Sequence, residues 1–431
     1  MLTSVDIEHF KSYRSATLQL GPLTVLIGAN ASGKSNALEA LRLLSWIAQG
    51  NRLSNIKYAV YENDASVRGT TKDLGFRGQK KFTLKATLNN RWEYVSFTLL
   101  VDGNGDLHIA DERMDVLNFS TLPLYEVVGR TGDIGSDLQV AYNNFARGGI
   151  KPKVSCTDQM AIMTQLQSSA RFAGTHRQAQ RRIPESCERF QRELSAFLFL
   201  DPQPSLMRGY SFKTDDRLHG DGSNLSGVLA RICDAPAMGA RLLELIKSLP
   251  EQNINSIDFI QTPKGEVMVQ LEETFGGENR KFDATLLSDG TLRVLSIAAA
   301  VMSADEGSLV VIEEIDNGVH PSRAEMLLGN IAAIASERGI RVLISSHNPA
   351  LLDALPDSAV PSVVFCYRNP DTGESELTRL QDIPDYPALI AQGPVGHLMT
   401  SGLLERFVKN HPGPALKKQR AEAWLADLRG K

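Results

Sequence analysis

Cysteine is scarce: Cys156, Cys187, Cys233 and Cys366 are the only four in 431 residues. They are too scattered for the C-x-x-C spacing of a structural zinc site and too few for a disulfide framework. Reduced, buried thiols of a cytosolic protein are what that scarcity implies. Also missing is any apolar run near the length a membrane helix needs. The first residues carry Asp6, Glu8, Lys11 and Arg14, where a secretory signal would be apolar. A cytoplasmic protein without membrane contact is the expectation. Charge of one sign is not in surplus either, with 46 Lys and Arg against 50 Asp and Glu and a net charge of -4. Contact with nucleic acid or anionic lipid would therefore need a local patch. No internal repeat, low-complexity tract or sustained heptad pattern occurs, which excludes long coiled-coil arms. What remains is a globular chain, 42% hydrophobic and 22% charged, long enough for two or three lobes.

Against these absences stands one conspicuous presence, GANASGKS at Gly28–Ser35. It follows the apolar run PLTVLI, and a helix with Leu38, Leu41 and Leu44 on one face follows it. Strand, glycine-rich loop and helix are the context a phosphate loop requires. Gly28 and Gly33 let backbone N–H groups turn inward around phosphate oxygens, and the helix N-terminus adds its positive dipole end. Residues Gly28, Ala29, Asn30, Ala31, Ser32, Gly33, Lys34, Ser35 and Asn36 are thus the candidate ATP contacts. Lys34 reaches the β- and γ-phosphates, and the Ser35 hydroxyl ligates Mg²⁺. The bland alternative is a strand-to-helix turn bearing a surface lysine.

Three further motifs follow in order: LSDGT at Leu287–Thr291, LVVIEEID at Leu309–Asp316, and ISSH ending at His347. The run Leu309–Ile312 is a buried strand that delivers Glu313 and Glu314 to a sheet edge, where ligands bind in α/β folds. One acid can hold Mg²⁺ through water while the other polarises the attacking water. His347, just past the run RVLISS, belongs at the same edge. Ser288 is a helix N-cap with Gly290 in the first turn, and a γ-phosphate meeting that helix end would have to come from a second copy.

Around these motifs, strands over Lys81–Asp111 suggest a small antiparallel sheet. The stretch from about Ser120 to Pro250 is mostly helical in tendency, with Ile183–Leu198 the clearest helix and Pro184 near its first turn. From Ser256 strands and helices alternate, implying a parallel sheet, and the tail reads as a hairpin with two helical stretches. The fold class is α/β, a mixed sheet with flanking antiparallel strands and an inserted helical lobe. Residues 1–119 and 256–360 form the two parts of the head, 120–255 the lobe, and 361–431 the C-terminal hairpin and helices.

The four motifs together resemble the ATP-binding-cassette (ABC) class of P-loop ATPases, within the branch containing RecF, SMC proteins and overcoming-lysogenization-defect nucleases. EEIDNGVHP is similar to bacterial defence-type members. The resemblance implies heads that sandwich two ATP molecules, in a homodimer or higher even oligomer. Ser288 and Gly290 would be the contacts in trans, Glu314 the catalytic base, Glu313 and Ser35 the Mg²⁺ residues, Ile315–His320 the D-loop, and His347 the switch histidine beside Lys34. It leaves the nucleotide-contacting glutamine open among Gln79, Gln159 and Gln165. Glu313 stands where most relatives have Asp; Mg²⁺ demands tight octahedral geometry, so the extra methylene implies slow turnover. LSDGT lacks the second glycine and the glutamine of transporter signatures, and the segment after His347 holds no D-x-D pair of a nuclease domain.

ATP hydrolysis that controls a separate effector, a nuclease or toxin in anti-phage defence, is the function this implies. Direct DNA repair or maintenance is the second reading, and a non-hydrolysing ATP-dependent scaffold the third. A basic cluster of Arg171, His176, Arg177, Arg181, Arg182, Arg189 and Arg192 offers a grip on nucleic acid. Glu185, Glu188 and Glu193 interleave its second half, as on an ordinary solvated helix face.

Overall fold

The computed structural model describes residues 1–56, 67–89, 92–116, 122–247, 253–317 and 321–409. At its centre lies a six-stranded sheet of β10 (Leu198–Leu200), β15 (Leu309–Ile312), β16 (Arg341–Ser345), β3 (Leu23–Ile27), β17 (Val363–Arg368) and β18 (Ser375–Arg379), in that order. Every neighbouring pair is parallel except β17 and β18. Parallel strands are covered on both faces and read as unbroken apolar runs, and the burial shows it. Leu23, Val25 and Ile27 face one core together with Val310, Ile312, Val342 and Ile344, whereas Leu26, Leu309, Val311 and Leu343 face a second. Each fully buried aliphatic side chain of this kind contributes about 1.5–3 kcal/mol.

The second core is closed by an eight-stranded antiparallel sheet, ordered β2-β1-β4-β5-β6-β7-β8-β9. Its strands are β1 (Leu2–Phe10), β2 (Tyr13–Gln19), β4 (Lys81–Leu88), β5 (Glu93–Val101), β6 (Leu107–Val116), β7 (Tyr125–Arg130), β8 (Leu138–Tyr142) and β9 (Lys153–Cys156). Helix α1 (Lys34–Ala48), the short α2 (Ile162–Gln165) and α3 (Arg177–Ser195) fill the space beneath it. The first core takes α4 (Pro204–Met207), α5 (Leu225–Cys233), α6 (Pro236–Ile246), α7 (Asp289–Ser303) and α8 (Pro321–Arg338). It also takes a small antiparallel sheet of β11 (Ser211–Phe212), β12 (Ile254–Gln261), β13 (Glu266–Phe275) and β14 (Glu278–Asp283). Among the described residues no helix is long and apolar enough to cross a membrane.

Within 120–255 helices do fill the second half, but the first third differs from its helical expectation. There β7, β8 and β9 prolong the antiparallel sheet; further along, α3 packs into the second core beside α1 and β10 joins the central sheet. The segment is thus threaded through both cores. Helix α3 also starts six residues earlier than its periodicity predicts, so Pro184 lies inside it rather than in its first turn. The helical stretch expected beyond Lys409 falls outside the described residues.

One buried acid gives the fold a pH signature. Glu112 on β6 is fully buried, accepting from the Tyr125 hydroxyl at 2.7 Å and from the N–H groups of Ile162 and Met163 at 2.6 and 2.8 Å. Burial nevertheless outweighs those donors and pushes its carboxyl up to about 7. A raised acid stabilises the fold below its unfolded pKa of 4.5 and loses that contribution as pH rises through about 7. The loss amounts to up to about 3 kcal/mol. Urea denaturation at pH 5 and pH 8 should show the native protein weakening across this window and Glu112→Gln showing a flatter pH dependence; parallel slopes would contradict it.

Candidate active site

Because β10, β15, β16 and β3 run parallel, their C-terminal ends share one edge. β3 leads directly into the glycine loop and α1. Gly28 and Gly33 adopt φ of 150° and 122°, and neither has room for a side chain. A Cβ on Gly28 would strike the Cys366 carbonyl, and one on Gly33 would lie 2.5 Å from Ser375 Oγ. The loop carbonyls are drawn outward by neighbouring donors: Arg368 Nε to Ala31 O at 2.9 Å, Ser375 Oγ to Ser32 O at 2.6 Å, and the Tyr13 hydroxyl to Gly33 O at 3.0 Å. With carbonyls turned out, N–H groups face in, which is an anion cradle.

Lys34 Nζ donates to the carbonyls of Gly28 at 2.6 Å and Ala29 at 3.1 Å. Burial lowers its pKa from the ordinary lysine value, opposed by Cys366, Glu314 and Asp316. The side-chain amide of Asn36 donates to Ser12 Oγ at 2.7 Å, tying α1 to the β1–β2 turn.

Both acids emerge where expected, at the end of β15. Glu313 Oε1 accepts from Arg42 Nη2 at 2.7 Å, and the guanidinium lies over the Phe199 ring, 4.6 Å from its centroid. Glu314 is exposed, with φ of 48°. A non-glycine residue in that region carries about 1–3 kcal/mol of strain; here the Ser345 hydroxyl accepts the Glu314 N–H at 3.0 Å and holds it. His347 follows β16, half exposed, its Nδ1 3.5 Å from Asp316 Oδ2. Asp316 is almost fully buried at the side chain and so fixes where that ring sits. Of the expected D-loop, Ile315–Asn317 forms a 3-10 turn, and residues 318–320 lie outside the described residues.

A cavity beside Ser35 is lined by Glu39, Arg42, Asp201, Gln203 and Glu313 among others. Asp201 and Gln203 follow β10, so the edge carries a glutamine that sequence reasoning missed. Gln159 instead bonds Leu107 O and His108, Gln165 bonds the carbonyls of Thr157 and Met160, and Gln79 closes a 3-10 turn at Phe76–Gly78. A signal was present: FLFL followed by DPQP is an apolar run ending in polar groups, as are LVVI before EE and VLISS before His347.

Ser288 and Gly290 are not among the cavity's lining residues. Ser288 is the N-cap of α7 as expected, its Oγ accepting from Thr291 N–H at 3.1 Å. Ser288 itself is exposed, so the first turn of α7 presents its N–H dipoles outward.

The residues fit ATP and Mg²⁺. The cradle excludes side chains at two glycines, a lysine lies across it, and beside the Arg42 and Arg68 guanidiniums the cavity next to Ser35 offers the oxygens of Glu39, Asp201, Gln203, Asp221 and Glu313, the ligand type that Mg²⁺ prefers. Among the described residues no cluster of three or more His, Cys, Asp or Glu that could hold a metal ion occurs.

The basic cluster is regrouped by the fold. Between Leu138 and Pro184 seven Lys and Arg face one acid, Asp158, which is fully buried and paired with Arg130 and His108. Arg147, Lys153, Arg171, Arg177 and Arg181 are exposed. Arg171 donates to Ser155 O and Arg182 lies over Phe145, gathering the β8–β9 hairpin and the start of α3 into one basic surface. Arg189 instead pairs with Glu93.

Comparison with known proteins agrees with this geometry. Residues 1–89 match a family described as an AAA ATPase domain. Residues 172–353 match one described as an AAA domain, candidate AbiEii toxin of a type IV toxin–antitoxin system. A DNA replication and repair protein RecF from Synechococcus sp. is 32% identical over 133 residues, 30% of this chain and 33% of that protein. Its counterpart from Streptococcus equi subsp. zooepidemicus is 35% identical over 86 residues, 19% and 23% of the two chains. The chain thus spans a third or less of these RecF proteins. An ATP/GTP phosphatase of Helicobacter pylori is 20% identical over 388 residues, 86% of this chain and 93% of that one. Among solved structures, an SMC head bound to the C-terminal winged-helix domain of ScpA aligns with a TM-score of 0.46 at 12% identity, covering 88% of this chain and 96% of that one. The SMC head of Thermotoga maritima aligns at 0.36 and 11%, covering 88% and 98%.

Proposed function

We propose that this chain is an ABC-type P-loop ATPase of the RecF and SMC branch that works in pairs, each copy closing the other's ATP site, to switch a separate effector protein. The observation that carries this reading is a division of the motifs. The loop, Glu313, Glu314, His347 and Gln203 meet on one sheet edge, while Ser288 caps a helix whose exposed N-terminus is offered elsewhere.

In the proposed reaction, the loop N–H groups and Lys34 hold the β- and γ-phosphates. Ser35 Oγ and Glu313 would hold Mg²⁺, which when bound would neutralise charge on the transferring phosphoryl group. Glu314 accepts the proton of the attacking water. His347, oriented by Asp316, donates to a γ-phosphate oxygen, and Ser288 of a second copy closes the site. Arg42 shares Glu313 with that work, and together with the acid's extra methylene this makes turnover slow. The match to a toxin–antitoxin family and the defence-type EEIDNGVHP motif support control of such an effector in anti-phage defence.

Ser288→Arg should leave ATP binding by a copy's own loop intact and abolish ATP-driven pairing in analytical ultracentrifugation. A native protein that stays monomeric with ATP and Mg²⁺ would overturn the paired model. The basic surface of the β8–β9 hairpin and α3 favours a second reading, a DNA-maintenance ATPase that grips phosphates directly. Turnover stimulated by DNA, and no longer stimulated after Arg177→Ala and Arg181→Ala, would select it.

A further inference from the structure

We propose that Arg208 is a positioning residue that ties the signature turn before α7 to the nucleotide edge of the same copy, so that ATP held by one copy sets the surface it offers to the next. The inference rests on the paired reading above for its second half only.

Gln203, on the nucleotide edge, is the N-cap of α4, and its N–H donates to Asp221 O at 2.9 Å. That helix is one turn long with proline at its first position, and Met207 is buried so tightly against Gly222 that a Cβ there would come within 2.5 Å of it. The segment Asp201–Arg208 therefore has little freedom to flex internally, and a shift at Gln203 is passed to Arg208.

At the end of this block, Arg208 Nη1 donates to Leu287 O at 2.6 Å and to Ala284 O and Thr285 O at 3.2 Å each. Its Nη2 meets Asp289 Oδ1 at 2.6 Å. One guanidinium thus holds the residues on both sides of Ser288. Asp289 is 70% exposed, so the ion pair alone is worth little. The value lies in the planar fork, which fixes direction to several acceptors at once as an ammonium cannot. Among the described residues no other side chain bonds those three carbonyls together with Asp289.

Hydrogen exchange on dilute protein, confirmed monomeric, tests this without pairing. ATP and Mg²⁺ should slow exchange of amides 285–292 about threefold or more. Arg208→Met should remove that response while ATP affinity stays within about twofold, a shift near the resolution of a binding titration, and Arg208→Lys should restore part of it. An unchanged response in Arg208→Met, or no response in the native protein, overturns the proposal. Should Arg208→Met fail to fold, Arg208→Lys decides on the same readout: a full native response counts against the strut, a reduced one supports it. A native response without ATP-driven pairing would leave the strut standing and remove the paired reading.

Discussion

Lys34→Ala is expected to lower ATP affinity by about 2–4 kcal/mol, roughly 30- to 1000-fold, as loss of one buried partner of a charge pair does. Lys34 is half-buried over the loop, its Nζ on the carbonyls of Gly28 and Ala29, a position from which only a flexible point charge can meet phosphate. The burial that lowers its pKa also strengthens its attraction to phosphate, because little water screens the contact. The backbone cradle survives in the variant, held by Tyr13, Arg368 and Ser375, so thermal stability without nucleotide should match the native protein. Isothermal titration with ATP and Mg²⁺ reads the affinity. Native-like binding by Lys34→Ala would place the phosphates elsewhere.

Glu314→Gln carries the other large effect, a loss of turnover of about 10²- to 10⁴-fold, the usual contribution of a positioned general base. The amide keeps the size of the side chain and its left-handed backbone, which Ser345 continues to hold. ATP binding should therefore persist, and ATP-bound pairs should accumulate where the native protein cycles through them. Phosphate release and sedimentation on one sample separate the outcomes. Turnover near the native rate would remove Glu314 as the base, and slow turnover without accumulated pairs would remove the sandwich while leaving the base in place.

Why the site was largely legible, and one part of it not, follows from strand length. The strands β3, β15 and β16 are four or five residues long, and each ends within two positions of the phosphate loop, Glu313 or His347. Sequence alone therefore gives Lys34, Glu314 and His347 a common edge. β10 has three residues and follows α3 within two positions, so Leu198–Leu200 reads as the end of a helix and Gln203 goes unseen. Strands β7 and β8 are short and interrupted by Gly129 and the 131–136 turn, which masks their alternation behind turn residues. Arg42 is illegible for another reason: nothing in a helix sequence tells which carboxylate, 271 positions away, an arginine will meet.

The walls of the phosphate loop have a consequence for the order of synthesis. Residues 28–33 are synthesised first, and Cys366, Arg368 and Ser375, which shape and anchor them, are made more than 330 residues later. A nascent chain therefore carries its phosphate-loop sequence through that whole interval without the scaffold that turns it into a receptor. Nucleotide capture waits for β17 and β18, and a truncated product ending before β17 would have the motif and not the grip.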